Sequence, residues 1–362
     1  MRVYAIEFVG EETRIMRILI IGGTRFIGPY VVRRLIDAGH SVTLFNRGET
    51  KADLPPSVKH ILGDRRSLPS FADEFKRVAP DVVLDMIPYT EEEAHALLRV
   101  FKNVARRVVA ISSADVYRAY GRLLRLEVGA PDPVPLNEHA PLRESFYPHR
   151  AQAKGVEDFK YYYDKILVER VVMSDKELPA TVLRLPAVYG AGDPQHRLFG
   201  YLKRMDDNRP AIILGEEQAR WRWTRGYVEN VADAIALVVV DERSINRIYN
   251  VGERDALSEA DWVRSIGQVA GWEGEVIVVP EDSLPEHLAA NLDYEHHLYT
   301  DTTRLRAELG IEERISREEA LRRTIDWERS NPPAEVFPAQ TEYAAEDALL
   351  AKLKQQGGRN TG

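Results

Sequence analysis

RILIIGGTRFIGPYVVRRLIDAG, residues 17–39, decides the fold. RILII (17–21) is a short run rich in β-branched residues and predicts a strand. GGTRFIG (22–28) follows, and Gly22 and Gly28 permit a tight turn and close helix–strand packing. PYVVRRLIDAG (29–39) has helical periodicity and closes on Gly39, a residue suited to a helix C-terminus. A strand that turns through glycines into a helix makes a phosphate site. The helix N-terminus presents unpaired N–H groups and the positive end of its dipole. Such a turn can also be simple tight packing. Its place after the first core strand favours the pyrophosphate reading.

The rhythm continues downstream. SVTLFN (41–46), VKHILGD (58–64), DVVLDMI (81–87), RRVVAISS (106–113) and ATVLRL (180–185) are strand-like, with amphipathic segments such as SFADEFKRVA (70–79) between them. Apolar strands alternating with helices predict an α/β fold. The expected form is a Rossmann-type doubly wound parallel sheet with a smaller C-terminal α+β substrate lobe. Residues 1–16 read as an N-terminal extension, and Met16 could be the true start. Residues 17–185 form the dinucleotide-binding domain. Residues 186–330 form the substrate lobe, whose segments can return to the sheet. Residues 331–362 are a tail with a helical piece and a polar end expected to fray. Residues 118–150 hold five prolines and read as an inserted loop, a lid or a mobile segment. AQAKGVEDFKYYYDKILVERVVMS (151–174) reads as one long helix.

The chain has 362 residues, enough for a nucleotide domain plus a second lobe. A net charge of −8 and a pI of about 5.7 withhold the electrostatic footprint of a general nucleic-acid binder, so nucleic acid is not an expected partner. The lack of cysteine removes disulfides, thiolate metal sites and cysteine nucleophiles. No apolar run reaches membrane-spanning length, and the N-terminus lacks a signal h-region. A cytoplasmic protein without membrane contact is the expectation. His149, His287, His296 and His297 lack metal-ligand spacing, so no metal is expected, and the pair 296–297 reads as surface.

IGGTRFIG resembles the opening motif of the extended short-chain dehydrogenase/reductase family, the nucleotide-sugar epimerases and dehydratases. Arg25 stands where that family usually has a middle glycine, a departure shared with an atypical branch that carries GGTRFIG. Some members of that branch are RNA-associated, so a non-catalytic dinucleotide-binding scaffold is the rival to an enzyme. The resemblance implies a nicotinamide dinucleotide held by Gly22, Gly23, Thr24, Arg25, Phe26, Ile27 and Gly28. It adds Asn46, Arg47, Asp64 and Arg65, then Met86, Ile87 and Pro88, then Ser112, Lys165, Pro186 and Val188. NAD-binding proteins usually place an acid at the end of the second strand. Here Asn46-Arg47 replaces acid with cation, and Arg25 could reach a 2′-phosphate, which favours NADP over NAD. Arg47 can also be read as a solvated turn residue.

Tyr161 and Lys165 stand four apart on the predicted helix and so share a face. Tyr162 and Tyr163 have Ile166 and Leu167 at that spacing. ISSADVY (111–117) and the run Tyr161-x-x-x-Lys165-x-x-x-Glu169 resemble the family's catalytic segments, in the family's order. The resemblance makes Tyr161 the acid/base, Ser113 a hydrogen-bond partner of the reacting oxygen, and Lys165 the holder of the nicotinamide ribose. Free tyrosine titrates at about 10, and a neighbouring ammonium favours its phenolate. The phenolate would take a hydroxyl proton as hydride leaves. Asp115 occupies the second of two positions that are acids in the family's dehydratases, the first being Ala114. It reads either as an extra base or as a capping aspartate.

LRLPAVYGAGDP (183–194), RGYVENVADAIALVV (225–239), YNVGE (249–253) and TDTTRLRAELGI (300–311) resemble later landmarks, so the resemblance spans residues 17–312. The two arginine slots of the family's diphosphate clamp fall on Trp223 and near Asn291. What the resemblance implies is an NAD(P)-dependent epimerase, dehydratase or reductase. Its substrate would be a sugar-like, nucleotide-linked small molecule, and the enzyme would work as a homodimer.

Overall fold

The structure, a computed structural model, describes residues 14–336, 341 and 343–359. Most of the N-terminal extension (1–13) and the last three residues of the polar end lie outside them. The strands are β1 Arg17–Ile21, β2 Ser41–Asn46, β3 Lys59–Leu62, β4 Val82–Asp85, β5 Arg107–Ser113, β6 Ala180–Leu185, β7 Ala187–Tyr189, β8 Ala211–Gly215, β9 Arg225–Tyr227, β10 Ile248–Asn250 and β11 Glu275–Val279. Seven of them form a parallel sheet in the order β10-β6-β5-β4-β1-β2-β3. This is the doubly wound fold the sequence predicts. The order reverses between β1 and β4, which opens a crevice at their C-terminal ends.

Both faces of the sheet's centre are dry, because β1, β4 and β5 are buried and apolar at consecutive positions, whereas the edge strand β3 is largely exposed. Ile18 and Ile20 face one core with Val31 and Leu35 of the helix Ile27–Asp37. Leu19 and Ile21 face the other with Phe75, Leu97 and Phe101. These four strand residues are at most 1% exposed. Each such side chain contributes about 1.5–3 kcal/mol of burial free energy. The helix Val228–Val240 belongs to the first of these layers. It packs beside Ile27–Asp37, and Arg34 joins it through Asp233 (2.5 Å) and Glu229 (3.0 Å). The lobe beyond holds the two-stranded pairs β7–β9 and β8–β11. The helix Ala344–Arg359 docks on it through Leu350 and through buried Glu346, which meets Arg204 at 2.6 Å.

Three expectations need correction. Residues 151–174 are not one helix. Short 3-10 turns occupy Arg150–Gln152 and Phe159–Tyr161, and the α-helix spans only Lys165–Val172. Asp164 decides this. Its Oδ1 accepts from Ile166 N at 2.9 Å as an N-cap, and its Oδ2 accepts from Tyr147 N at 2.7 Å. Continuing the helix upstream would forfeit both bonds.

Residues 118–150 are not one loop. After the helix Arg118–Leu123 the segment is pinned to the body. Leu136 N donates to Tyr299 O at 2.7 Å, Glu138 Oε1 accepts from Asn250 N at 2.9 Å, and Arg143 is 2% exposed. The pair 296–297 is surface only in part: His297 is partly exposed, but His296 is 3% exposed, and its carbonyl accepts from Trp221 Nε1 at 2.9 Å.

Candidate active site

The Gly-rich turn lies at the C-terminal end of β1. Gly28 sits so close to Gly23 that an added Cβ would lie 2.4 Å from the Gly23 carbonyl carbon. Gly23 itself has φ +86°, which L side chains rarely adopt. Phe26 carries φ 49° just before the helix begins, a costly conformation for a bulky residue. This closure leaves the N-terminus of Ile27–Asp37 uncapped by any side chain, and its first turn holds no acid. Thr24 and Ile27 lie in the same turn, partly exposed.

Two cations gather beyond the end of β2. Arg25 crosses to that side, where its Nε donates to Thr50 Oγ1 at 3.0 Å. Arg47 pairs with Glu49 at 2.7 Å, both more than half exposed, a weak contact that leaves Arg47 available. Asn46 Oδ1 accepts from Gly48 N at 2.8 Å. Asp64 caps the next turn, accepting from Arg66 N at 2.8 Å.

Arg65 is 8% exposed and held by carboxylates. Its guanidinium is buried against both carboxylate oxygens of Asp85, with Glu93 at 3.1 Å. Burial disfavours the charge, but these carboxylates outweigh it and hold the guanidinium above its usual range. The ion pair fixes the loop after β4. There Ile87 packs against Gly22, and Ile87 N donates to Asp85 Oδ1 at 3.1 Å. Met86 is partly exposed beside Ile87.

Lys165 ties this loop to β5. Its Nζ donates to Pro88 O at 2.8 Å and to Ile111 O at 2.9 Å. Burial pushes the ammonium down to about 8, against the raising fields of Asp115 and Asp85. A lowered folded pKa means that the unfolded chain binds the proton more tightly between about pH 8 and its ordinary range. Lys165 therefore adds stability as pH rises through that window. The unfolding free energy of wild type minus that of Lys165→Met should climb between pH 8 and 10 in urea titrations. A flat difference would contradict the burial argument.

At the end of β5, Ser113 Oγ accepts from Asp115 N at 3.2 Å. Ser112 points the other way and donates to Glu169 Oε1 at 2.5 Å, so it supports the fold and does not face the crevice. Glu169 also grips Arg184 at 2.7 Å. Pro186 is partly exposed just past β6, and Val188 is buried in the first core.

Asp115 is 7% exposed and accepts from Tyr163 Oη at 2.6 Å. Tyr163 stands beside Lys165, His149 and Tyr89. Burial pushes His149 below its ordinary range, so the imidazole is neutral near Asp115.

Tyr161 does not join this group. It lies off the Lys165 helix, and its ring contacts are Arg150 and Tyr162. Ser113, Asp115 and Lys165 are thus gathered at one end of the sheet, and Tyr161 is not. Sequence reasoning passed over Tyr163, His149 and Arg143. An aspartate directly before KILVERVV is an N-cap signal, and it could have shown that Tyr161 and Lys165 do not share a helix. In the expected diphosphate clamp, Trp223 packs on Trp221 at 5.3 Å, and Asn291 is exposed. Neighbouring Arg225 is buried against Glu259 at 2.5 Å.

Residues 18–252 match the family described as "NAD dependent epimerase/dehydratase family". Among curated proteins, the Arabidopsis thaliana "Chloroplast stem-loop binding protein of 41 kDa b, chloroplastic" is 22% identical over 362 residues, covering 93% of this chain and 84% of that protein. The Streptomyces kanamyceticus "2'-dehydrokanamycin reductase" is 25% identical over 285 residues, covering 77% of this chain and 73% of that protein. Among solved structures, the UDP-glucose 4-epimerase of Thermus thermophilus in complex with NAD superposes with a TM-score of 0.61 at 21% identity. The match covers 87% of this chain and 100% of that one.

Proposed function

The chain belongs to the NAD-dependent epimerase/dehydratase family, of the extended short-chain dehydrogenase/reductase type, and on that premise we propose that it transfers hydride at a hydroxyl or ketone of a sugar-like, nucleotide-linked substrate. The observation that carries this reading is the meeting of Lys165, Asp115 and Ser113 at the C-terminal ends of β4 and β5, one strand from the Gly-rich turn. When bound, the dinucleotide supplies the hydride acceptor or donor. The turn residues Gly22 to Gly28 would hold its pyrophosphate on the helix N-terminus. Lys165 would present its ammonium to the ribose, and Ser113 would orient the reacting oxygen. The nucleotide-linked substrate class is supported by relatives named for it, among them a probable UDP-glucuronate 4-epimerase of Rhizobium meliloti. A homodimer is supported by exposed Phe146, Phe159 and Tyr162 near the helix Lys165–Val172.

The cofactor we propose is NADP. Arg25 and Arg47 both lie beyond β2, where Asn46 stands in place of the acid that usually meets a ribose hydroxyl. The test is to denature the purified protein, identify any released dinucleotide by mass spectrometry, and titrate emptied protein with NADPH and NADH. NADPH is expected to bind more tightly. Arg25→Ala and Arg47→Ala should each weaken NADPH roughly ten-fold, the scale of one charge-assisted contact, and leave NADH unchanged. Equal binding of the two would defeat the NADP assignment, and binding of neither would defeat the hydride-transfer reading. A dinucleotide-binding scaffold is the second reading. It is favoured by the long match to the stem-loop binding relative and by the position of Tyr161. Specific RNA binding without dinucleotide turnover would establish it.

A further inference from the structure

Tyr163, two residues before Lys165, is the phenol that reaches the site. Its hydroxyl donates to Asp115 Oδ2 at 2.6 Å, and Lys165 Nζ lies 5.7 Å from its ring centre. The His149 ring stands 5.1 Å away, centre to centre. Arg143 fixes the aspartate from below, its Nε donating to the Asp115 carbonyl at 2.5 Å. Asp115 Oδ1 is buried and has no hydrogen-bond partner among the described residues. Leaving a buried carboxylate oxygen without a donor is costly. A purely structural Tyr–Asp pair gives no reason to keep that oxygen bare. A substrate hydroxyl next to the reacting one would supply the missing donor to Oδ1.

We propose that the proton of the reaction moves through Tyr163 and Asp115, with Tyr163, not Tyr161, touching the reacting oxygen. The proposal rests on the hydride-transfer reading above. In the oxidising direction the substrate C–H bond breaks, and its electron pair leaves as hydride to the oxidised dinucleotide. The substrate O–H proton goes to Tyr163 Oη, the phenol's own proton goes to Asp115 Oδ2, and C–O becomes C=O. Reduction reverses each transfer. Burial pushes the Tyr163 phenol well above its usual range, and Asp115 adds to the push. Tyr163 therefore stays protonated and conducts the proton; it is not a standing phenolate. Asp115 acts through it as a positioning and proton-holding residue.

Proton and hydride leave adjacent atoms of one substrate. Asp115 must then lie within several ångströms of the nicotinamide ring, which is cationic only when oxidised. A buried anion at that range favours the oxidised form. The test is the ratio of the dissociation constants of NADP+ and NADPH for the full chain at pH 7. Asp115→Asn should shift that ratio against NADP+ by roughly ten-fold. Tyr163→Phe should shift it the same way, because the carboxylate loses the hydrogen bond that stabilises its charge. Tyr161→Phe should leave it unchanged. A ratio unmoved by the first two variants, or moved by Tyr161→Phe alone, overturns the assignment and leaves the hydride-transfer reading standing. Wild-type protein that binds neither form brings down both, and that titration separates the two failures. If one variant does not fold, the other decides.

Discussion

Glu169→Gln is expected to lower the unfolding free energy by about 3–5 kcal/mol, the usual cost of stranding one partner of a buried ion pair. Glu169 and Arg184 are 4% and 3% exposed. The Glu169 carboxylate takes Arg184 Nη2 at 2.7 Å, Arg184 Nε at 3.0 Å and the Ser112 hydroxyl at 2.5 Å. Burial alone would depress the Arg184 guanidinium, but the Glu169 charge overrides it and holds Arg184 above its usual range. Arg184 in turn donates to Glu138 O and to Tyr117 Oη, and Tyr117 donates to Asn250 Oδ1 at 2.6 Å. One carboxylate thus anchors β5, β6, β10 and the segment after Tyr117. Stability of a domain is about 5–15 kcal/mol in total, so the variant should sit near the edge of folding. Urea denaturation checks this. A companion Glu169→Leu with Arg184→Met should recover much of the loss, because it leaves no buried charge. A loss below about 1 kcal/mol for the single variant would show that water reaches the pair.

Gly28→Ala is expected to abolish dinucleotide binding at concentrations that saturate wild type, a fall of at least about a hundred-fold, or roughly 2.7 kcal/mol. The added methyl would lie within 2.5 Å of three Gly23 backbone atoms, including its carbonyl oxygen. No rotamer can relieve a clash between two backbones. The start of the helix Ile27–Asp37 must therefore back away from β1, and its free N–H groups move with it. Overpacking adds about 1–3 kcal/mol of destabilisation. Fluorescence titration with NADPH, beside a thermal melt, separates the two effects. Binding within three-fold of wild type would mean that the turn is a packing device and not a phosphate cradle.

β1, its turn and its helix were legible because their causes are local. Strand period, helix period and glycine sterics act over a few residues, so RILIIGGTRFIG reads the same alone as in the fold. The alternating strands announced a parallel sheet for the same reason. Asp164 was also local, but a helical pattern running through YYYDKILVE hid it. Arg65 could not be read, because its position is set by Asp85, twenty residues on at the end of β4. The same holds for Arg143, held by the Asp115 carbonyl, and for Tyr163, held by the Asp115 carboxylate. By itself the sequence determined the doubly wound sheet, the cradle after β1 and the strand ends where chemistry can occur. Which tyrosine meets Asp115, and which carboxylates bury Arg65 and Arg184, follow only from the packed chain. Those choices depend on hydrogen bonds and desolvation between residues far apart in the chain, which no local pattern encodes.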